Sequence, residues 1–397
     1  MVRHDMSEPT PRERILTTFA HERPDRPPTD GWFHQEVADR LKQHFCTDDW
    51  EQVLQQLGMD GWATLSPQLV FPEWERKAFD RPGTDESQST ESAKRTLGTI
   101  SIRDAWRQGQ RSVWLDHDRH VDPWGIQWRV GKGDRYEQWL AGPLQEATHP
   151  DDAARYPFPT TDNIREPEDY AGVVRDLKSR GKFVCADFEN PFKRAWLLHG
   201  LENTLMAYAS DRDVLDAIYD RIYPLYTEIL RRMAMAGVDM IKVIGDVAMQ
   251  DRILMGADAW RQVDKPRLGR MVEACRHVNP NVVLFFHSDG KLTDLIDDLI
   301  ELGFTVINPI QPECMDPIDV SRRWGDRITL YGCISIQRTL PFGSPEDVRR
   351  EVESLINACG QHGGLVLMPS NVIQPDTRTD NILTCYHTAR DHRFASL

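Results

Sequence analysis

The chain lacks any apolar run approaching the roughly 20 residues that a membrane-crossing helix needs, so no transmembrane helix is expected. Its first residues, Met1 to Arg14, are charged from the outset and lack the apolar stretch of a secretory signal, which points to cytoplasmic residence. Cysteine is sparse. The seven present, Cys46, Cys185, Cys275, Cys314, Cys333, Cys359 and Cys385, include no C-x-x-C pair, so neither a disulfide framework nor a zinc ribbon is expected. Basic residues are outnumbered, 48 against 62 acidic, for a formal charge of −14. That balance argues against non-specific binding to nucleic acid or to an anionic membrane, while leaving room for a local basic pocket that takes a small anion. There is no internal repeat and no low-complexity tail, and no glycine-rich dinucleotide fingerprint follows an early strand.

What is present is a regular alternation. Short apolar runs at Phe183–Ala186, Met240–Ile244, Val282–Phe286, Thr305–Ile307, Ile328–Tyr331 and Leu365–Met368 have strand length and β-branched or aromatic content. Charged segments of helical spacing separate them, as in Asp211–Ala236, Asp258–His277, Leu292–Leu302 and Pro345–Cys359. Strand and helix in strict succession imply parallel strands joined by right-handed crossovers. Arg26–Trp32 and Gly61–Leu65 supply two more strands, and a total of about eight predicts an α/β, (β/α)₈ TIM-type barrel in a single domain spanning 1–397. Residues 81–140 are expected as an insertion near the N-terminus. Arg81–Arg95 is crowded with Asp, Glu, Ser, Thr and Gln, and Trp106–Trp139 carries Trp114, Trp124, Trp128, Tyr136 and Trp139 between Gly and Asp. Two readings stand for these rings, packing within an inserted hairpin or a lid over an apolar substrate.

In such barrels the chemistry lies at the C-terminal ends of the strands. Asp30, Glu189, Asp246, His287, Asp289, Asn308, Gln311, Cys333 and Asn371 each stand just past an apolar run. Strand ends also need polar caps, so one such residue carries little weight; the repetition carries more. His287 and Asp289 form a His-x-Asp pair, and on a persisting strand both would point the same way. Imidazole and carboxylate are zinc ligands when further donors arrive from other strands, although Ser288-Asp289-Gly290 also reads as a turn with Asp289 capping a helix. Asp246 suits a general base, a metal ligand or an anchor for an amine or hydroxyl. Asn308 and Gln311 can hold a substrate without titrating. Cys333 reads either as a strand-end thiolate or as a buried, inert cysteine. The expected catalytic set is Asp246, His287 and Asp30.

The segments RERILTTFAHERPDRPP, DPWGIQW, FFHSDG, INPIQPE, GDRITLYGCISIQRTLPFGSPEDV and LMPSNVIQPD resemble the uroporphyrinogen decarboxylase superfamily, and within it the branch of cobamide-dependent methyltransferases. The resemblance implies a barrel with a deep central cleft. It also implies methyl or other one-carbon transfer, or demethylation, of a small methylated substrate, with Zn²⁺ and with a corrinoid carried by a separate partner protein. In that branch zinc is held by a His-x-Cys pair and a later Cys. The His matches His287, while Asp289 and Asn371 stand at the two Cys positions, a change that makes the site harder and moves it away from thiol activation. The alternative is cofactor-free decarboxylation of a porphyrinogen or another aromatic carboxylate, with Asp246 or Asp30 stabilising a cationic intermediate. Decarboxylases of the superfamily grip propionates with an arginine-rich segment near the N-terminus; the corresponding TDGWFHQEVADR has no such cluster, although Arg194 and Arg338 are cations within reach of a cleft. Glu189, Asn308, Gln311, Cys333, Asn371 and Gln374 complete the expected substrate-binding set, His287 and Asp289 the metal ligands, and a homodimer is a further expectation.

Overall fold

The computed structural model describes residues 8–71, 112–131 and 137–394. A helix at Pro11–Phe19 opens the described chain, with Pro11 in its first turn and a reciprocal capping box between Thr10 and Glu13. Two helices, Gln35–His44 and Trp50–Leu57, lead to β1 (Trp62–Thr64) and β2 (Gln68–Leu69). An inserted antiparallel meander follows, of β3 (Val113–Trp114), β4 (Arg119–Val121), β5 (Gln127–Val130) and β6 (Glu137–Ala141). β7 (Ile164–Arg165) returns to pair with β2.

From there strand and helix alternate through β8 (Phe183–Glu189), β9 (Met240–Ile244), β10 (Val283–His287), β11 (Val306–Asn308), β12 (Thr329–Tyr331) and β13 (Leu365–Val366). With β1 these form a parallel sheet in the order β1-β8-β9-β10-β11-β12-β13. The eighth position belongs to residues 28–34. Leu367 N–H donates to Pro28 O (3.0 Å), Asp30 N–H to Leu367 O (3.0 Å), and Asp60 N–H to Thr29 O (3.4 Å), so this segment joins β13 to the start of β1 and closes a (β/α) barrel. The sequence predicts a regular strand at Arg26–Trp32; the structure shows only isolated bridges at Thr29 and Phe33. Pro27 and Pro28 have no N–H to give a ladder, which accounts for the irregularity.

Period-two alternation sorts the strand residues into two cores. Trp32, Trp62, Phe183, Cys185, Met240, Phe285, Val306, Tyr331, Val366 and Met368 fill the barrel interior. Their neighbours, Val184, Ala186, Ile241, Val243, Leu284, Phe286, Ile307, Leu330 and Leu365, pack outward against the helices. Among the described residues no helix is long and apolar enough to cross a membrane.

The inserted meander packs on the barrel through its aromatic residues. Trp139 Nε1 donates to Leu197 O (2.9 Å), and the Arg194 guanidinium stacks over the Trp124 ring at 4.3 Å. Asp122 accepts from Trp124 N (2.9 Å), Ile126 N (3.0 Å) and Trp128 Nε1 (3.1 Å), which fixes the β4–β5 turn. Of the expected insertion, residues 81–111 and 132–136 lie outside the described residues.

Candidate active site at the carboxyl ends of the strands

β9 and β10 end side by side, with Ile244 in register with His287, and the turns that follow are tied together. Asp289 N–H donates to Asp246 Oδ1 (2.8 Å), Val247 N–H to Ser288 Oγ (3.0 Å), and Gly290 N–H to Gln311 Oε1 (3.1 Å). Gly290 has φ of +92°, and a Cβ there would meet Met249 O at 2.3 Å; glycine is what lets the two turns approach so closely. The strand stops at His287, so Asp289 reaches the site from the turn and not by strand alternation.

The His287 ring is oriented by a chain of amide contacts. Asn308 Nδ2 donates to Tyr331 O (3.3 Å), which leaves Asn308 Oδ1 facing His287 Nδ1 at 2.6 Å. That oxygen accepts a hydrogen bond from Nδ1–H, so the neutral imidazole presents the lone pair of Nε2. Nε2 looks toward two carboxylates, 3.8 Å from Asp246 Oδ1 and 4.0 Å from Asp289 Oδ1. Asn371 Nδ2 donates to Asp289 Oδ2 (2.5 Å), while Asp289 Oδ1 is buried and has no hydrogen-bond partner. Burial raises the Asp289 carboxyl to about 6, against the pull of His287 and with the push of Asp246.

The donor atoms of Asp246, His287 and Asp289 all lie within 4.8 Å of one another. Tetrahedral zinc with bonds of about 2.1 Å separates its ligands by about 3.4 Å, so a small inward movement of two carboxylates would complete three corners. An orphaned carboxylate oxygen, an imidazole of fixed tautomer and amide groups behind the ligands are what a divalent cation requires. The set is oxygen and nitrogen, with Asp246 as its third member. Asn371 steadies Asp289 and accepts from Val372 N with its own Oδ1 (2.7 Å). Another His–carboxylate group, Asp116, His117 and Asp118, lies in the β3–β4 turn, where Asp116 Oδ1 caps the backbone of Asp118 (3.1 Å) and Arg119 (2.8 Å).

Other expected site residues are placed elsewhere. Glu189 is locked to Arg194 at 2.7 Å and accepts from Tyr226 OH (3.2 Å), and this ion pair anchors the meander. Cys333 is fully buried, and burial pushes its thiol well up, so it is an inert core residue. Gln374 Nε2 donates to Val372 O (3.0 Å). Asp30 lies in the barrel interior, where Tyr331 OH donates to its Oδ2. Arg338 is 68% exposed, 3.7 Å from Glu313 Oε1, and does not enter the site.

Three residues went unread in the sequence. Trp32 lies against the His287 ring, with centroids 5.6 Å apart. Asp187 and Lys242 are buried one layer below it, with Lys242 Nζ 3.8 Å from Asp187 Oδ1. The signal was available: a lysine in the middle of MIKVI and an aspartate inside FVCADFE share the inward parity of Met240 and Cys185.

Comparison with known proteins agrees with this architecture. The model of the uroporphyrinogen decarboxylase (URO-D) family matches residues 149–392, more than half of the chain, and the chain belongs to that family. No curated protein matches it in sequence. Among solved structures, a methyltransferase from Methanosarcina mazei superposes with a TM-score of 0.61 at 18% identity, covering 97% of this chain and 99% of its own, and shares the fold. An α-amylase from Geobacillus thermoleovorans reaches a TM-score of 0.33 at 9% identity, over 58% of this chain and 61% of its own.

Proposed function

We propose that this member of the uroporphyrinogen decarboxylase family is a metal-assisted methyl or one-carbon transferase, or demethylase, that acts on a small methylated substrate. The observation that carries the reading is the convergence of Asp246, His287 Nε2 and the unpartnered Asp289 Oδ1 at the barrel mouth. The full-length likeness to an enzyme named a methyltransferase supports it. A bound Zn²⁺ would supply Lewis acidity toward the heteroatom that carries the methyl group. The chain's own residues do the rest. Asn308 keeps the proton on Nδ1 of His287, Asn371 steers Asp289 Oδ1 inward, Gln311 fixes the turn, and Trp32 walls one side. The corrinoid is assigned to a separate partner protein. The unpaired thiols of all seven cysteines suit a cytoplasmic setting, and a homodimer remains part of the proposal.

Porphyrinogen decarboxylation is the weaker reading, because the mouth is acidic and Arg194 is committed to Glu189. The test pairs a zinc assay on the purified protein with methyl transfer from small methylated compounds to free cob(I)alamin, beside anaerobic incubation with uroporphyrinogen. Stoichiometric zinc that is lost in a folded His287→Ala variant, with methylcobalamin formed, is expected. Steady formation of coproporphyrinogen by a metal-free protein would overturn the proposal.

A further inference from the structure

We infer that the layer of the barrel interior directly beneath His287 is a second binding site, built for a neutral hydroxyl group of the substrate. The inference rests on the reading above only for the identity of the molecule that enters. His287 is in register with Ile244 and Asn308, and Phe285, two residues back, is in register with Lys242 and Val306. Lys242 in turn faces Asp187 across β8 and β9. Two residues along a strand span about 7 Å, so this layer is within reach of a molecule a few bonds long that is seated at His287.

Barrel interiors are ordinarily filled by layers of apolar side chains. Here one layer carries Asp187 and Lys242, with Asp30 and Trp62 entering from residues 28–34 and from β1, the strand beside β8. Its polar atoms are incompletely paired. Asp30 Oδ1, Asp187 Oδ1 and Trp62 Nε1 are buried without a hydrogen bond of normal geometry: Trp62 faces Asp30 only loosely, and the Lys242 ammonium faces Asp187 Oδ1 at 3.8 Å, beyond normal hydrogen-bond length. Buried polar groups in native proteins are nearly always satisfied, so three orphaned atoms in one layer mark a place where another molecule completes the network. The side chains of Lys242 and Asp187 keep 4% and 6% exposure, so both border space that a water-sized group can enter.

The residue types then select the ligand. An ammonium group would face Lys242, and a carboxylate would face Asp187. A methyl or methylene group would leave every orphan unpaired. A hydroxyl donates to one carboxylate oxygen and accepts from the ammonium or the indole N–H, and carries no charge to disturb either. Burial works against the Lys242 ammonium, but the neighbouring Asp187 above all offsets it and favours the charged form, so the layer keeps a donor.

Four small methyl ethers test this by calorimetric or ligand-observed NMR titration of the whole protein: 2-methoxyethanol, 1-methoxypropane, protonated 2-methoxyethylamine and methoxyacetate. The hydroxyl compound should bind about tenfold more tightly than its apolar isostere and than either charged analogue, as expected for one group that satisfies a donor and an acceptor. Lys242→Met should bring the hydroxyl and apolar compounds to within about threefold of each other and leave 1-methoxypropane unchanged. Should that variant fail to fold, the order measured on the native protein decides alone. Equal binding of all four, absence of binding, or preference for a charged compound overturns the inference, as does a preference that survives in Lys242→Met. Zinc content and methyl transfer are read separately. A protein that holds zinc and transfers methyl without discriminating among the four loses this site and keeps the function. One that prefers the alcohol but holds no metal keeps this site and loses the function.

Discussion

Arg194→Met removes the cation that joins the inserted meander to the barrel, and its cost can be worked from the contacts. The guanidinium Nε donates to Glu189 Oε2 (2.8 Å) and to Tyr226 OH (3.3 Å), and the side chain is nearly buried, at 9% exposure against 11% for Glu189. Breaking a buried ion pair by deleting one partner costs about 3–5 kcal/mol, because the other charge is left uncompensated. The stack on Trp124 at 4.3 Å adds about 1–2 kcal/mol where the cation is desolvated. Methionine returns part of this by packing. Equilibrium denaturation near neutral pH should therefore show a loss of about 3–5 kcal/mol, and adding Glu189→Gln should recover about 2 kcal/mol by removing the stranded carboxylate. The sign with pH is also fixed. Burial already lifts the Asp122 carboxyl above its usual range, with Arg194 opposing. Without Arg194 that carboxyl rises further, the folded variant takes up a proton that the unfolded chain releases, and its deficit shrinks as pH falls through the acid range. A loss below about 1 kcal/mol, or no recovery in the double variant, would show that the pair does not bear the load assigned to it.

Two further outcomes concern carboxyls that burial has raised. Zinc affinity measured by chelator competition should be flat well above pH 6 and fall about tenfold per pH unit below it, since the Asp289 carboxyl, raised to about 6, must lose its proton to bind; an affinity indifferent to pH across that range would remove Asp289 from the ligand set. Asp264, buried among the hydroxyls of Tyr208 (2.7 Å) and Tyr219 (3.2 Å), is raised from 3.8 to about 6, chiefly by burial. That rise corresponds to about 3 kcal/mol of stability present below pH 4 and lost as pH rises through 6, so the stability of the native protein minus that of Asp264→Asn should fall by about this much between those limits, and a flat difference would refute it.

How much of this was legible beforehand depended on whether the signal was periodic. The six apolar runs from Phe183 onward became six parallel strands because strand parity and length are written in adjacent residues. The eighth barrel position was misread as a regular strand, since its pairing is decided by Pro27 and Pro28 and by distant partners at Leu367 and Ile373. The His287–Asp289 pair was visible as residue types, but its geometry was not. It comes from a turn held by Asp246, Gly290 and Gln311, contacts that link three different loops. Glu189 failed as a site residue for a similar reason: a strand-end carboxylate looks the same in sequence whether or not an arginine five residues on folds back to neutralise it. Lys242 and Asp187 were hidden by the habit of reading strand-interior charges as exceptions to a hydrophobic rule, when inward parity in a barrel makes them part of its axis.

Charge along that axis narrows what the protein can accept. At the mouth, Asp246 and Asp289 together carry two negative charges, the number that one divalent cation cancels. One layer down, Lys242 answers Asp187, and Asp30 receives the Tyr331 hydroxyl while burial raises its own carboxyl toward the neutral form. With a metal bound, the column from mouth to interior is close to neutral throughout; without one, its mouth is strongly anionic. A substrate with several carboxylates would meet repulsion in the metal-free state and, in the loaded state, would depend on Lys193, beside Asp289, because Arg194 is held by Glu189 and Arg338 stands in solvent. A neutral substrate meets no such penalty in the loaded state, and its electron-rich heteroatom gains from the metal's residual Lewis acidity. On the proposed function, the two carboxylate donors of Asp246 and Asp289 would keep the centre hard, which favours oxygen or nitrogen over sulfur as the atom that carries the transferred methyl group.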